Sequence, residues 1–441
     1  MSGMTVAIST LGCKSNQYDS SALEEALRRA SLRVVPFPGP ADAYIINTCT
    51  VTGKTDHESR QTIRKARRSN PDAVVIVTGC YAQVSPGEVS SIEGVDYVVG
   101  NPEKAKIVEY LLNGRQSSTV EELGSWQEGT PWTLRASSSS GRTRANLKIQ
   151  EGCNRACSYC IIPRARGLSK SLPLEKVETE FDTLVEAGYR EIILTGIHLG
   201  AWGMDLGEGI DITSVLELIE KKGYPCRFRI SSLDPDEVTE KLMDILKSSK
   251  HICNHLHLTL QSGDDSIIKR MKRPYTRRLF ADKVMDLFDA VEGISIGVDV
   301  IAGFPGEGEK EFENTFSLLS GLPVSYLHIF PFSKRHGTAA AQDPDQVDQR
   351  AIKARCERLH ELDEAKRSAF HSRFIGSTAS VLVEGVRDRS GLLKGRARNY
   401  IQVFLEGADH LKFQMVDASL ESLTKGGMAG KAAPSNDGGM A

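Results

Sequence analysis

The chain has 441 residues, with 55 Lys and Arg against 57 Asp and Glu, a formal net charge of −2. That length fits about three domains, and the near-neutral balance excludes a globally basic nucleic-acid binder, so any RNA surface is local. No stretch reads as a signal peptide or as an apolar run long enough to span a membrane, and the nine cysteines point to metal ligands or buried thiols in a reducing, cytoplasmic setting rather than to disulfides.

Residues 1–134 alternate short apolar runs with charged, helix-like stretches. Residues 6–10, 43–48, 74–78 and 97–99 read as buried strands, and 19–30 and 56–69 as connecting helices. This alternation predicts an α/β domain with a doubly wound parallel sheet. The first strand runs into Cys13, the second into Cys49 and the third into Cys80, about one βα unit apart. In open α/β sheets the carboxyl ends of the strands share one edge, where ligands bind. Cys13, Cys49 and Cys80 are therefore expected at one rim as a three-thiolate metal site, rather than as three buried thiols inside strands.

The polar, serine-rich stretch 135–141 reads as a linker. Residues 142–375 repeat the strand–helix pattern, with strands expected at 145–150, 191–195, 227–231, 255–260, 294–301 and 326–329, and a long charged helix at 347–374. Six βα units predict a partial barrel, with its active site at the C-terminal ends of the strands. Just after the first of these strands comes Glu151-Gly-Cys-Asn-Arg-Ala-Cys-Ser-Tyr-Cys160. Cys153, Cys157 and Cys160 can ligate three irons of a 4Fe–4S cluster. Electron-carrier clusters usually have four cysteines, and a zinc knuckle needs a fourth Cys or His nearby. The open iron and this spacing are those by which radical S-adenosylmethionine (SAM) enzymes bind and cleave SAM. Polar and glycine residues at other strand ends, Thr195, Gly196, Gln261, Ser262 and Asp299, are candidates for SAM contacts, against ordinary turn chemistry. His198, His255 and His257 read as structural or hydrogen-bonding residues.

Residues 376–424 carry short β-type runs separated by turns, which predicts a small antiparallel barrel. The Gly-, Ala- and Ser-rich tail 425–441 reads as disordered. Basic clusters occur at 54–68, 269–278 and 387–398. The last supplies Arg387, Arg389, Lys394, Arg396 and Arg398 as candidate RNA contacts.

The motifs together resemble radical-SAM methylthiotransferases over nearly the whole chain. They are Thr10-Leu-Gly-Cys-Lys-Ser-Asn-Gln-Tyr-Asp-Ser20, Ile46-Asn-Thr-Cys-Thr-Val-Thr52, Thr78-Gly-Cys-Tyr-Ala82, Gln150-Glu-Gly-Cys-Asn154 and Cys160-Ile-Ile-Pro-Arg-Ala-Arg-Gly167. Further on come Leu194-Thr-Gly-Ile-His198, His255-Leu-His257, Gln261-Ser-Gly263, Val300-Ile-Ala-Gly-Phe-Pro-Gly-Glu307 and Pro331-Phe-Ser-Lys-Arg-His-Gly-Thr338. The wording around Cys13 and Cys49 is most similar to the subgroup acting on N6-threonylcarbamoyladenosine at position 37 of tRNA. The resemblance implies a TRAM-type RNA-binding barrel at 376–424 and an auxiliary 4Fe–4S cluster on Cys13, Cys49 and Cys80. It implies two SAM molecules per product, one methylating the sulfur and one yielding the radical that activates C2 of the adenine. It also implies two partners: a tRNA anticodon stem-loop, and an electron donor such as flavodoxin or ferredoxin. Isopentenyladenosine-37 of tRNA or a ribosomal protein aspartate are the alternative substrates. Two departures stand out: Ser169-Lys-Ser171 where relatives have Arg-Ser-Arg, and Thr259 in place of a proline.

Overall fold

The computed structural model describes residues 3–125 and 143–433. The expected linker at 135–141 lies outside the described residues.

The first unit is a six-stranded parallel sheet of β1 (Thr5–Thr10), β2 (Arg33–Val35), β3 (Ala43–Thr48), β4 (Val74–Gly79), β5 (Tyr97–Val99) and β6 (Val120–Glu122), in the order β2-β1-β3-β4-β5-β6. Every residue of β3 and β4 is buried, as continuous apolar runs covered on both faces should be. The short edge strands β2 and β6 were not legible in the sequence. Helix α1 (Lys14–Arg29) starts directly after Cys13, five residues before the expected start, and α2 (Gly53–Ser69) begins with a Thr52/Thr55 capping box.

The second unit is an arc of parallel strands, β7 (Ala145–Lys148), β10 (Glu191–Thr195), β11 (Arg227–Ile230) with its continuation β12 (Ser232–Leu233), β13 (His255–Gln261), β14 (Ser295–Ala302) and β15 (Tyr326–Pro331). The two-residue strands β8 (Gln150–Glu151) and β9 (Lys170–Ser171) pair antiparallel beside the cysteine loop. β7 and β15 are the free edges of the two sheets that make the arc, so the barrel is open on one side. Tyr18 and Ala22 of α1 are part of the barrel's own apolar core, which docks the first unit against β7. The helix Gln349–Ser372 packs beside β15 and leads into the third unit.

That unit is a closed five-stranded barrel of β16 (Thr378–Arg387), β17 (Leu393–Ala397), β18 (Gln402–Glu406), β19 (Met415–Thr424) and β20 (Gly427–Ala432). The expectation of a disordered tail from 425 is corrected here. β20 pairs with both β18 and β19 and closes the barrel, with Met428 fully buried. A Gly/Ala-rich composition hid a strand in which a Cβ on Gly427 would lie 2.3 Å from Gln402 O and one on Gly430 2.8 Å from Ser419 O. The last expected tail residues, 434–441, lie outside the described residues.

Candidate active site

The sheet order makes β1, β3 and β4 adjacent, so Cys13, Cys49 and Cys80, each just past the end of one of them, stand side by side. Two glycines allow the approach. A Cβ on Gly12 (φ +91°) would lie 2.5 Å from Cys49 Cβ, and one on Gly79 (φ +97°) 2.3 Å from Thr48 O. Burial, then the neighbouring Cys80 and Cys13 thiols, pushes the Cys49 thiol up to about 12. Three thiols gathered at one sheet edge fit a shared metal group, whose positive charge deprotonates them.

The second thiol set lies across the junction with the barrel. Cys153, Cys157 and Cys160 follow β8 in one tight loop, with Cys160 N donating to Cys157 O at 3.1 Å. Burial, then Cys157 and Cys153, raises the Cys160 thiol to about 12. Hydrogen-bond donors face the sulfurs, two of them on cationic side chains and one on the backbone. Arg273 Nη1 donates to Cys157 Sγ at 3.2 Å, Arg155 N to Cys153 Sγ at 3.4 Å, and His198 Nδ1 is 3.7 Å from Cys153 Sγ. Burial disfavours a charged His198, but hydrogen bonds to Asp234, Cys153 and Glu237 outweigh it and push the ring up to about 11. Both sets thus fit three-cysteine 4Fe–4S sites, with each thiolate set compensated by fixed cations.

A buried ionic network joins the two sets. Arg166 Nε donates to Cys80 Sγ at 3.3 Å, and its Nη1 reaches Asp19 at 3.0 Å and Glu151 at 3.1 Å. Asp19 also pairs with Lys104 at 2.7 Å and Lys148 at 2.5 Å, and Lys148 with Glu151. Burial pushes the Asp19 carboxyl up, but Lys104, Lys148 and Arg166 hold it well below the usual carboxylate range.

The barrel lumen is polar. Asp299 Oδ1 lies 2.7 Å from His257 Nε2, His257 Nδ1 3.2 Å from the Tyr326 hydroxyl, and that hydroxyl 2.8 Å from His255 Nε2. His255 Nδ1 accepts from Arg229 Nε at 3.2 Å. His257, Asp299 and His328 bring ligand atoms within 4.8 Å of one another, as do His198, Asp234 and Glu237, so either group has the donors for a metal ion. On the open side of the barrel, between α1, β7, β15 and the third unit, lies a cavity of about 910 Å³ lined by Lys14, Arg144, Arg229, Arg367 and Arg396, with Glu384 as the acidic side chain. Burial, then the charge of Arg229, brings the Lys14 ammonium down to about 7.

The candidate SAM residues fare unevenly. Thr195 is buried, its hydroxyl donating to Ile193 O at 3.3 Å. A Cβ on Gly196 would lie 2.9 Å from Gln150 Oε1, so chain and side chain meet closely there. Gln261 has a positive φ of 65°. Asp299 faces the lumen, whereas Ser262 has its hydroxyl engaged by neighbouring residues. It is fully buried, with its hydroxyl 3.4 Å from Thr315 Oγ1 and accepting from Asp264 N at 3.3 Å.

The basic stretch of the third unit also divides. Arg398 donates to Ser249 O and Ile252 O, both at 2.6 Å, which docks the small barrel on the large one. That use corrects its expected place at the RNA surface, because charge in a sequence does not reveal which face a neighbouring domain covers. Arg387 is held by Asp409 at 2.6 Å and Arg396 by Tyr400 O at 3.1 Å, next to the cavity. Arg389 is exposed, and Lys394 is half-buried on β17.

Sequence reasoning did not single out Arg166, Asp19, Arg155, Asp234, Glu237 or Lys14. Arg166, Asp19 and Lys14 lie inside quoted motifs, which is the signal that was available. The departure Thr259 has a local role: its hydroxyl accepts from Arg273 Nη2 at 2.9 Å and contacts Asp234. Ser169 Oγ accepts from Gln150 Nε2 at 2.9 Å and Ser171 N donates to Asp205 at 2.8 Å, so the other departure also sits beside the cysteine loop.

Residues 5–100 match the model of Uncharacterized protein family UPF0004, and residues 147–319 that of the Radical SAM superfamily. The chain is 39% identical to threonylcarbamoyladenosine tRNA methylthiotransferase MtaB of Bacillus subtilis, over 94% of this chain and 93% of the relative. It is 29% identical to tRNA-2-methylthio-N(6)-dimethylallyladenosine synthase of Desulfitobacterium hafniense, over 93% of each. Among solved structures it is similar in fold to the radical SAM methyltransferase TsrM from Kitasatospora setae, with a TM-score of 0.57 at 15% identity over 77% of each chain. On the extent and identity of the first of these matches, the chain belongs to the radical-SAM family of threonylcarbamoyladenosine tRNA methylthiotransferases.

Proposed function

We propose that this enzyme adds a methylthio group to C2 of N6-threonylcarbamoyladenosine in the anticodon loop of tRNA. The observation that carries the reading is the pairing of two three-cysteine sets across one junction, tied through Arg166, which touches Cys80 on one side and Glu151, two residues before Cys153, on the other. When bound, a 4Fe–4S cluster with SAM on its open iron supplies a one-electron cleavage that activates a C–H bond with no acid–base route. Cys153, Cys157 and Cys160 are assigned to that cluster, and Cys13, Cys49 and Cys80 to a second one that holds the sulfur to be transferred.

The chain's own residues do the rest. Arg273 and His198 keep positive charge against the first thiolate set, the Arg155 backbone N–H donates to Cys153, and Arg166 stands against the second set. Thr195, Gly196, Gln261 and Asp299, at or near the ends of their strands, border the space for SAM. The lateral cavity admits a base unstacked from single-stranded RNA. Arg389 and Lys394 offer contacts for the RNA backbone.

Mass spectrometry of tRNA nucleosides from a host with and without the gene tests this. The 2-methylthio form of threonylcarbamoyladenosine is expected only with the gene. A gain on isopentenyladenosine instead overturns the substrate, and no change in any nucleoside with both clusters loaded overturns tRNA as the substrate.

A further inference from the structure

The lateral cavity holds a charge surplus. Each nearby carboxylate already has a partner: Glu191 pairs with Arg227 and with Arg144 at 3.0 Å, Glu384 with Arg144 at 2.8 Å, and Asp299 accepts at 2.7 Å from His257, whose ring is held below the usual imidazole range by burial. Arg367 and Arg396 are likewise engaged, by Asp363 at 2.8 Å and Tyr400 O at 3.1 Å. Two cations of the lining, Lys14 and Arg229, reach neither a carboxylate nor a backbone carbonyl among the described residues. Lys14 Nζ has no hydrogen-bond or ion-pair partner among the described residues. Among the described residues Arg229 donates only to the neutral ring of His255, lies 3.9 Å over the ring of Tyr400 and has no carboxylate against it. Arg229 and Lys14 come from different elements, β11 and the start of α1, and both line the same space. Two like charges facing one partly buried cavity repel each other and are desolvated without compensation, an arrangement that makes sense once an anion lies between them. Neutral donors stand beside them, with Asn146 Nδ2 oriented toward Gln17 at 3.2 Å.

We propose that Lys14 and Arg229 form a carboxylate-binding subsite that reads the threonine carboxylate of the substrate base. This rests on the function proposed above. A threonylcarbamoyl group extends from N6 of adenine and ends in a carboxylate, whereas an isopentenyl group ends in hydrocarbon. The anion that the modified base itself carries is this carboxylate. The subsite would thus set specificity: it strengthens binding of the acidic base, and it leaves two unpaired charges facing an apolar one.

The test uses holoenzyme loaded with iron and sulfide, and anaerobic fluorescence anisotropy. The probes are anticodon stem-loop RNAs carrying threonylcarbamoyladenosine or its threonine methyl ester, which keeps the shape and removes the charge. The wild type should bind the acid about tenfold tighter or more, as charge-assisted hydrogen bonds allow. Lys14→Gln and Arg229→Gln should each bring the acid-to-ester ratio toward one, and Lys14→Arg should restore it. A wild-type ratio within about twofold overturns the subsite, and needs no variant to fold. Full discrimination by both Gln variants also overturns it. The underlying function fails separately, if the wild type methylthiolates the isopentenyladenosine stem-loop in preference to the threonylcarbamoyl one.

Discussion

At the scale of single residues, the two thiol sets are expected to fail differently. Cys157 sits in the loop assigned to SAM, held against Arg273 at 3.2 Å. Cys157→Ala should abolish SAM cleavage, read as loss of 5′-deoxyadenosine. Cys49 is buried on the other side of the Arg166 network. Cys49→Ala should keep measurable SAM cleavage and yield no methylthio nucleoside. Full product from either variant contradicts the division of labour. All six cysteines were legible because ligand spacing and strand ends are local properties of a sequence. The groups that tune them were not. Arg166 is a basic residue in a loop until the fold buries it between Cys80, Asp19 and Glu151, and His198 looks like a turn residue until Asp234 and Glu237 are brought beside it.

At the scale of elements, the start of α1 shows why polar segments mislead. Lys14 to Asp19 lacks the apolar period of a helix, so the sequence places the helix later. In the fold, Asn16 and Asp19 are buried because Arg166, Lys104 and Lys148 meet them from three other segments. Breaking a buried ion pair from one side leaves uncompensated charge and costs about 3–5 kcal/mol. Asp19→Asn removes the one carboxylate that Lys104 meets among the described residues and half of the pairing of Lys148 and Arg166, which keep Glu151, and should destabilise the enzyme by roughly that amount near neutral pH. The pH dependence has a definite sign. The folded carboxyl titrates below its unfolded value of about 3.9, so its stabilisation is complete above that value and is lost as pH falls through the folded one. The stability gap between wild type and Asp19→Asn should therefore narrow in acid, which anaerobic denaturant titrations at a series of pH values measure. A constant gap would assign the stabilisation to other groups.

At the scale of the whole molecule, the three units surround one opening, and the small barrel is both a wall of the cavity and a candidate RNA surface. The strand–helix alternation and the cysteine positions made the first two units legible, and turn-separated β runs the third. The docking between them was not, because it depends on single side chains reaching across. Arg398 is such a side chain, spent on the carbonyls of Ser249 and Ile252, whereas Arg389, exposed, and Lys394, half-buried, make no ion pair among the described residues of the same barrel. Neighbouring charges in one sequence cluster therefore have different jobs, and salt dependence separates them. A phosphate contact adds close to one unit to the slope of log affinity against log salt concentration. Arg389→Ala and Lys394→Ala should each weaken tRNA binding across sequences and reduce that slope by roughly one. Arg398→Ala should lower the thermal midpoint and leave the slope of the folded protein unchanged, since its charge never reaches the RNA. If Arg398→Ala lowers the slope while Arg389→Ala does not, the RNA runs over the junction between the barrels rather than along the outer face.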